Sequence, residues 1–323
     1  MKVSELLKIR QQQWRELERL CDTVEGQRKS EINTAAVSRF TSLYRAACAD
    51  LALADENRLP QTTVDYLHQL VGRAHNQLYR SRRFDVQRWQ HMMFVEVPQR
   101  VFNDGCVQLA FCLFWGAFLL SAYLASQDKY FPDFATQVLS EQQIEMMEEN
   151  FSEPLGGRSG DVNALMASFY IYHNTGIGLK CFASGLLVVP GMVITLFNAV
   201  ALGASFGYMA RPDCPQTENF FEFVTAHGPY ELTAIVLSAG AGLRLGLAWM
   251  QTNGLTRTSS LTETAKEAMP LMGCAMVLFF LAALIEGFVS PSAAPYIVKA
   301  TIAVLASGSL MFYFVILGYP RET

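Results

Sequence analysis

Apolar residues recur at helical spacing through the first hundred positions and then merge into long uncharged runs, and this change divides the chain. Leu6, Leu7, Trp14, Leu17, Leu20 and Cys21 return every few residues in Val3 to Val24, as do Val37, Phe40, Tyr44 and Leu51 in Thr34 to Leu53. After Pro60, a third stretch starts at about Thr62 with Val64, Leu67, Leu70, Val71 and Leu78 on one side. Each pattern predicts an amphipathic helix with a stripe to bury. A basic stretch, Arg80, Arg82, Arg83 and Arg88, leads into the amphipathic segment Trp89 to Pro98. Either it lies in a membrane interface as an elbow, its arginines against lipid phosphates, or it packs on the soluble bundle as a fourth helix.

Gly105 to Ala125 carries no charge over 21 residues. At about 1.5 Å per residue this crosses about 30 Å of hydrocarbon. Four further apolar runs follow: Phe182 to Met209, Pro229 to Met250, Leu271 to Phe288 and Val298 to Leu317. Asn163 to Lys180 is interrupted by Tyr172, His173, Asn174 and Thr175, so it reads as a weak span or a re-entrant piece. The fold class is therefore all-α: a polytopic membrane protein of about six spans, five being possible, preceded by a soluble helical bundle. The expected domains are residues 1–97, ending in the interfacial helix, and residues 98–323, with an acidic external loop at 126–162.

Charge distribution decides the expected topology. The arginines at 80 to 100 place the N-terminal region in the cytoplasm by the positive-inside bias. The loop from Ser126 to Asp161, with eight acidic residues against Lys129 and Arg158, then lies outside. If Asn163 to Lys180 crosses, Lys180, Arg257, Lys266 and Arg321 all fall inside, which favours six spans with both termini in the cytoplasm of a bacterial inner membrane. Met1 to Arg28 is polar, so insertion is expected to be directed by the first span.

Composition narrows the function classes. The chain is 51% hydrophobic and 17% charged, below the roughly 25% charge of soluble domains. The first 100 residues hold 16 of the 25 Lys/Arg and 12 of the 29 Asp/Glu. A net charge of −4 leaves no dominant basic surface for nucleic acid; lipid is the expected contact. The seven cysteines form no C-x-x-C pair, so neither a disulfide framework nor a cysteine metal site is expected. Phosphate-cradling glycine loops, zinc-protease helix motifs and nucleophile elbows are also missing, and no cofactor is expected.

Two sets of residues carry candidate roles. Ala234, Ser238, Gly242 and Gly246 recur every four residues, and Ala199, Gly203 and Gly207 do likewise. Small residues at this spacing let helix backbones approach closely in lipid, within one subunit or between subunits of a homo-oligomer. Ionisable residues inside spans are costly and lean functional. Glu231 and Glu286 fall at similar depth near the outer ends of their spans, and His227 lies one turn before Glu231 on the same face. They form a candidate polar site for a cation, a proton or a headgroup, to which Asn174 and Asn198 can add. The alternative is that they tie helices together by hydrogen bonds. Arg244, about six residues from its cytoplasmic end, can snorkel outward, and a structural role is expected for it.

Several stretches together resemble the stage II sporulation protein M family. In the soluble region they are Trp14-Arg-Glu-Leu-Glu18, Leu43-Tyr-Arg-Ala-Ala-Cys-Ala-Asp-Leu51 and Tyr66-Leu-His-Gln-Leu-Val-Gly-Arg-Ala-His75, the pattern of longer, non-sporulating members. The membrane region contributes His173-Asn174, Phe197-Asn198-Ala-Val-Ala-Leu-Gly203, His227-Gly-Pro-Tyr-Glu-Leu232, Ala241-Gly-Leu-Arg-Leu-Gly246 and Ile285-Glu-Gly-Phe-Val-Ser-Pro291. His173 stands where many relatives carry a first asparagine. The resemblance covers essentially the whole chain and places His227, Glu231 and Glu286 in recurring motifs. It implies a membrane component of a larger machine, working with a cell-wall hydrolase in spore formers. For longer relatives it implies a MoxR-type AAA ATPase or a von Willebrand factor A domain protein.

The expected function is thus an integral membrane scaffold of an envelope complex and not an enzyme. A small channel, transporter or lipid-handling protein built on the His/Glu site is the competing reading, and an intramembrane enzyme using the same carboxylates is a third.

Overall fold

A computed structural model describes residues 3–26, 34–78, 86–154, 156 and 159–320. The chain separates into two units, Met1–Asp85 and Val86–Thr323.

The first unit is built from α1 (Val3–Gly26), α2 (Thr34–Glu56) and α3 (Gln61–Leu78). The predicted stripes meet in one core of Trp14, Leu17, Cys21, Phe40, Leu43, Leu67 and Leu70. A left-handed Arg58 (φ 46°) ends α2, and Pro60 stands just before α3. Asp50 lies at a core position of α2 and is fully buried. It accepts from Trp14 Nε1 at 2.9 Å and from Arg10 Nη1 at 2.5 Å. Tyr66 donates to Glu18 at 3.2 Å. The motifs of this region therefore include the residues that join its three helices.

The second unit begins at Val86, so the amphipathic segment expected to close a domain at residue 97 belongs with the membrane helices. It forms α4 (Val86–His91), a π-helical turn over Met92–Glu96, and α5 (Val97–Asn103). Val97 and Val101 join the main core, and Tyr313 near the C-terminus donates to the Met93 carbonyl. Trp89, Phe94 and Val95 stay exposed. Arg80, Arg82 and Arg83 lie outside the described residues, as does the Arg88 side chain.

Asp104 caps α6 (Gly105–Ser126), accepting from the Cys106 and Val107 amides at 2.8 and 3.4 Å. The acidic loop contains α7 (Phe134–Leu139) and α8 (Glu141–Asn150). These fold back on the bundle: Leu139 and Ile144 pack with Ala204, and Tyr208 donates to Glu148 at 2.6 Å. Then come α9 (Gly160–Gly185), α10 (Val189–Met209), α11 (Thr217–Val224), α12 (Gly228–Met250), α13 (Arg257–Leu284) with a π-helical end over Ile285–Val289, and α14 (Tyr296–Met311) with a π-helical end over Phe312–Ile316.

The apolar run expected over Phe182 to Met209 is not one helix. It breaks at Leu186–Val188, where Val188 adopts a positive φ of 56°. Pro190 then sits in the first turn of α10, where its missing N–H costs nothing. The expected span at Leu271 is likewise the second half of a longer helix.

Among the described residues, five helices are long and apolar enough to cross a membrane: α6, α10, α12, α13 with its π-helical end, and α14 with its own. Their outward faces expose Leu119, Leu120, Phe197, Val304 and Leu305, a surface that hydrocarbon covers and water would not tolerate. The choice between five and six spans turns on α9. Its 26 residues form one unbroken helix rather than a re-entrant break, and it packs along α12 and α13.

Central to the bundle is α12, which touches α6, α9, α10, α13 and α14. Gly242 and Gly246 lie against the backbone of Phe182 and Gly185 of α9, where a Cβ would overlap. Gly203 and Gly207 press likewise on Phe118 and Ala122 of α6. Ala234 and Ser238 are buried in the same bundle.

Candidate functional site

The site forms where the first turn of α12, the end of α13 and the middle of α9 meet. His227 immediately precedes α12, and Pro229 occupies a first-turn position that needs no donor. Glu231 follows one turn later, so both side chains leave the same face. Its carboxylate also stands at the positive end of the helix dipole. Glu286 comes from the π-helical turn of α13, which closes with the Ser290 amide donating to the Ile285 carbonyl at 2.9 Å. The wider turn shifts the face that the last residues present. Asn174 enters from α9, which approaches closely because Gly287 has no Cβ; one there would overlap Ala167.

Ligand atoms of His227, Glu231 and Glu286 all lie within 4.8 Å of one another. His227 Nε2 stands 3.6 Å from Glu231 Oε2, and Nδ1 is 2.9 Å from Ser290 Oγ. Asn174 Nδ2 donates to Glu286 Oε2 at 3.2 Å. His227, Asn174, Glu286 and Ser290 are buried, and Glu231 is nearly so. The Phe223 ring of α11 meets His227 edge-on at 5.6 Å. Beneath the polar layer, fully buried Phe279 packs against Gly178, with Ser238 beside them. That floor is apolar except for Ser238 Oγ, which has no hydrogen-bond partner.

Four of the five sequence candidates are therefore brought together. Asn198 is not: it donates to the Ile194 carbonyl at 2.8 Å, with Cys181 Sγ at 3.9 Å, on α10. Arg244 is held by ion pairs, to Asp104 at 2.7 Å and to Glu267. It lines a cleft of about 430 Å³ with Glu96, Arg100 and Asp104 instead of standing free toward lipid.

Sequence reasoning missed Ser290, although it lies one helical turn beyond Glu286. It also missed Lys299, a fully buried lysine in the first turn of α14. Its Nζ lacks a hydrogen-bond partner and stands 3.7 Å from Glu222 Oε2. A single lysine inside an apolar run was the available signal.

The model of the stage II sporulation protein M family matches residues 110–291, more than half of the chain. The chain belongs to that family. The matched region of this stage II sporulation protein M family member contains Asn174, His227, Glu231, Glu286 and Ser290, and hence the whole polar cluster. A second model, described only as a domain of unknown function, matches residues 4–80, which is nearly the α1–α3 unit. No curated protein and no solved structure matches the chain.

Proposed function

We propose that this chain is a non-catalytic, multi-pass organiser of a protein complex at the bacterial cytoplasmic membrane, with α1–α3 recruiting soluble partners. The observation that supports it is the α1–α3 unit itself: it has its own buried core, and a separate family model matches it. Charged residues cover its outside, including the Arg39–Glu16 and Arg73–Asp22 pairs. A module of this kind placed before a membrane bundle suits recruitment better than transport. The partners suggested by family resemblance are a MoxR-type AAA ATPase, a von Willebrand factor A domain protein or a cell-wall hydrolase. In this reading α9 crosses as the sixth span and both termini lie in the cytoplasm, because Arg257 and Lys266 then share a side with the arginines near 80 to 100.

One observation favours the second reading, a small channel, transporter or lipid-handling protein. Three ionisable groups are buried together, and charge at bilayer depth costs several kcal/mol unless it is used or paired.

Affinity capture of the tagged protein from native membranes in mild detergent tests the first reading. Reproducible recovery of a soluble partner that is lost when residues 1–85 are deleted is the expected result. Recovery of the chain alone, as a monomer or homo-oligomer, overturns it. If Glu231→Gln and Glu286→Gln keep partner capture but abolish the cellular phenotype, the second reading gains.

A further inference from the structure

We propose that His227, Glu231 and Glu286 bind a divalent first-row transition-metal ion, zinc being the best fit, tying α12 to α13. The inference concerns the occupant of the cluster and does not depend on whether the chain organises partners.

Spacing is the first argument. The 3.6 Å between His227 Nε2 and Glu231 Oε2 is too long for a hydrogen bond. Two ligands each about 2.1 Å from one tetrahedral ion lie about 3.4 Å apart. All three residues offer an atom within 4.8 Å of the others, so small side-chain adjustments bring them to one centre.

The orienting bonds are the second argument. In the tautomer that donates from Nδ1 to Ser290 Oγ, at 2.9 Å, Nε2 keeps its lone pair on the Glu231 side. Metal-bound histidines are held this way, their other ring nitrogen engaged by an oxygen. Asn174 does the same for Glu286, occupying Oε2 and leaving the other oxygen free. Both bonds join separate chain segments, residues 63 and 112 positions apart. Neither is needed to satisfy a helix end.

Charge is the third. Two ionised carboxylates buried beside a neutral histidine carry −2, an arrangement the membrane interior penalises heavily. A divalent cation cancels that charge and uses the imidazole, which two shared protons would leave idle. An imidazole with two carboxylates suits zinc, manganese or ferrous iron; calcium needs six to eight oxygens, more than this cluster offers. The π-helical turn carrying Glu286 fits as well, since such turns recur at functional sites.

The test uses full-length protein purified in mild detergent, stripped with chelator and re-equilibrated with zinc, manganese or cobalt in turn. Elemental analysis after removal of free ion should give about one zinc per chain, and cobalt should give the visible bands of a four-coordinate site. Glu286→Gln and His227→Ala should abolish binding while remaining monodisperse. Asn174→Ala and Ser290→Ala should weaken it about 10–100-fold. Asn198→Ala, outside the cluster, should bind as the parent does. If the ligand variants fail to fold, X-ray absorption at the zinc edge of the parent protein decides. Nitrogen and oxygen neighbours alone support the site, and sulfur neighbours assign the metal to cysteine and overturn it. Folded parent protein that retains no metal from any of the three ions overturns it too, leaving the carboxylates to shared protons.

Discussion

Replacing Asp50 by alanine should loosen the whole α1–α3 unit, and the size of the effect follows from its partners. Asp50 is fully buried, and its two oxygens are occupied by Trp14 Nε1 and Arg10 Nη1. Removing the carboxylate leaves the indole N–H of Trp14, itself only 4% exposed, without an acceptor. An unsatisfied buried donor costs about 1–3 kcal/mol. The Arg10 side chain is 34% exposed, so water takes over most of its interaction and the added loss is about 1 kcal/mol or less. The sum, about 1–4 kcal/mol, corresponds to roughly 5- to 1000-fold more frequent opening. Hydrogen exchange by mass spectrometry on the full-length protein reads this in the amides of α1 and α3. Asp50→Asn keeps an acceptor for Trp14 and loses only charge, so its opening should rise about fivefold or less. An Asp50→Ala protein exchanging within threefold of the parent refutes the reasoning, as does an asparagine variant equally damaged.

Gly242→Ala should destabilise the bundle by about 1–3 kcal/mol through overpacking, because its Cβ would stand 2.9 Å from the Phe182 Cα and carbonyl carbon. Gly273→Ala, with nothing within 4 Å, should leave thermal unfolding in detergent unchanged or raise its midpoint; equal effects at both positions reject the close-approach argument. A double-mutant cycle of Arg244→Gln and Asp104→Asn should return a coupling energy of about 0.5–3 kcal/mol, and additive losses mean the pair does not form. The Arg39 guanidinium, donating at 2.8 and 2.7 Å, holds the Glu16 carboxyl below its ordinary value of 4.5. That contribution is complete above about pH 4.5 and is lost as pH falls through the lower folded value. Glu16→Gln should therefore flatten the acid limb of α1–α3 stability below pH 4.5, and an unchanged limb counts against it.

The elements that were legible in the sequence are those where one physical demand dominates. Stripes such as Trp14, Leu17 and Cys21 give away α1, because a surface helix must bury one face. Uncharged length gives away α6, because hydrocarbon admits nothing else. The break at Leu186–Val188 was hidden because every residue in it is apolar. The turn depends on Gly191 lying against the backbone of Gly185, a pairing that no periodicity announces. At the site, the one-turn spacing of His227 and Glu231 is a local rule and could be read. Their meeting with Glu286 depends on how α12 crosses α13 and on a π-helical turn without a sequence signature. Lys299 was masked by the hydrophobicity of its neighbours, since averaging over a span dilutes one charge.

The arrangement along α12 bears on how the two functional readings should be weighed. Glu231 and Arg244 stand near opposite ends of this helix, about 20 Å apart along its axis. Each belongs to a polar cluster that reaches a neighbouring helix: Glu231 to Glu286 at one end, Arg244 to Asp104 and Glu267 at the other. Between them, Ala234 to Leu243 is buried throughout, and Gly240 and Gly242 lie against α6 and α9 with no room for a methyl group. A conduit joining the two clusters would have to open that seam, separating helices whose backbones touch. Small residues in such contacts favour one tight packing over graded movement, because the gain comes from close approach and vanishes with about an ångström of separation. The polar groups thus fasten the ends of the central helix while glycine fixes its middle. That design suits a rigid packing unit better than a path for solutes. A channel would need the reverse, polar positions along the middle and freedom at the ends.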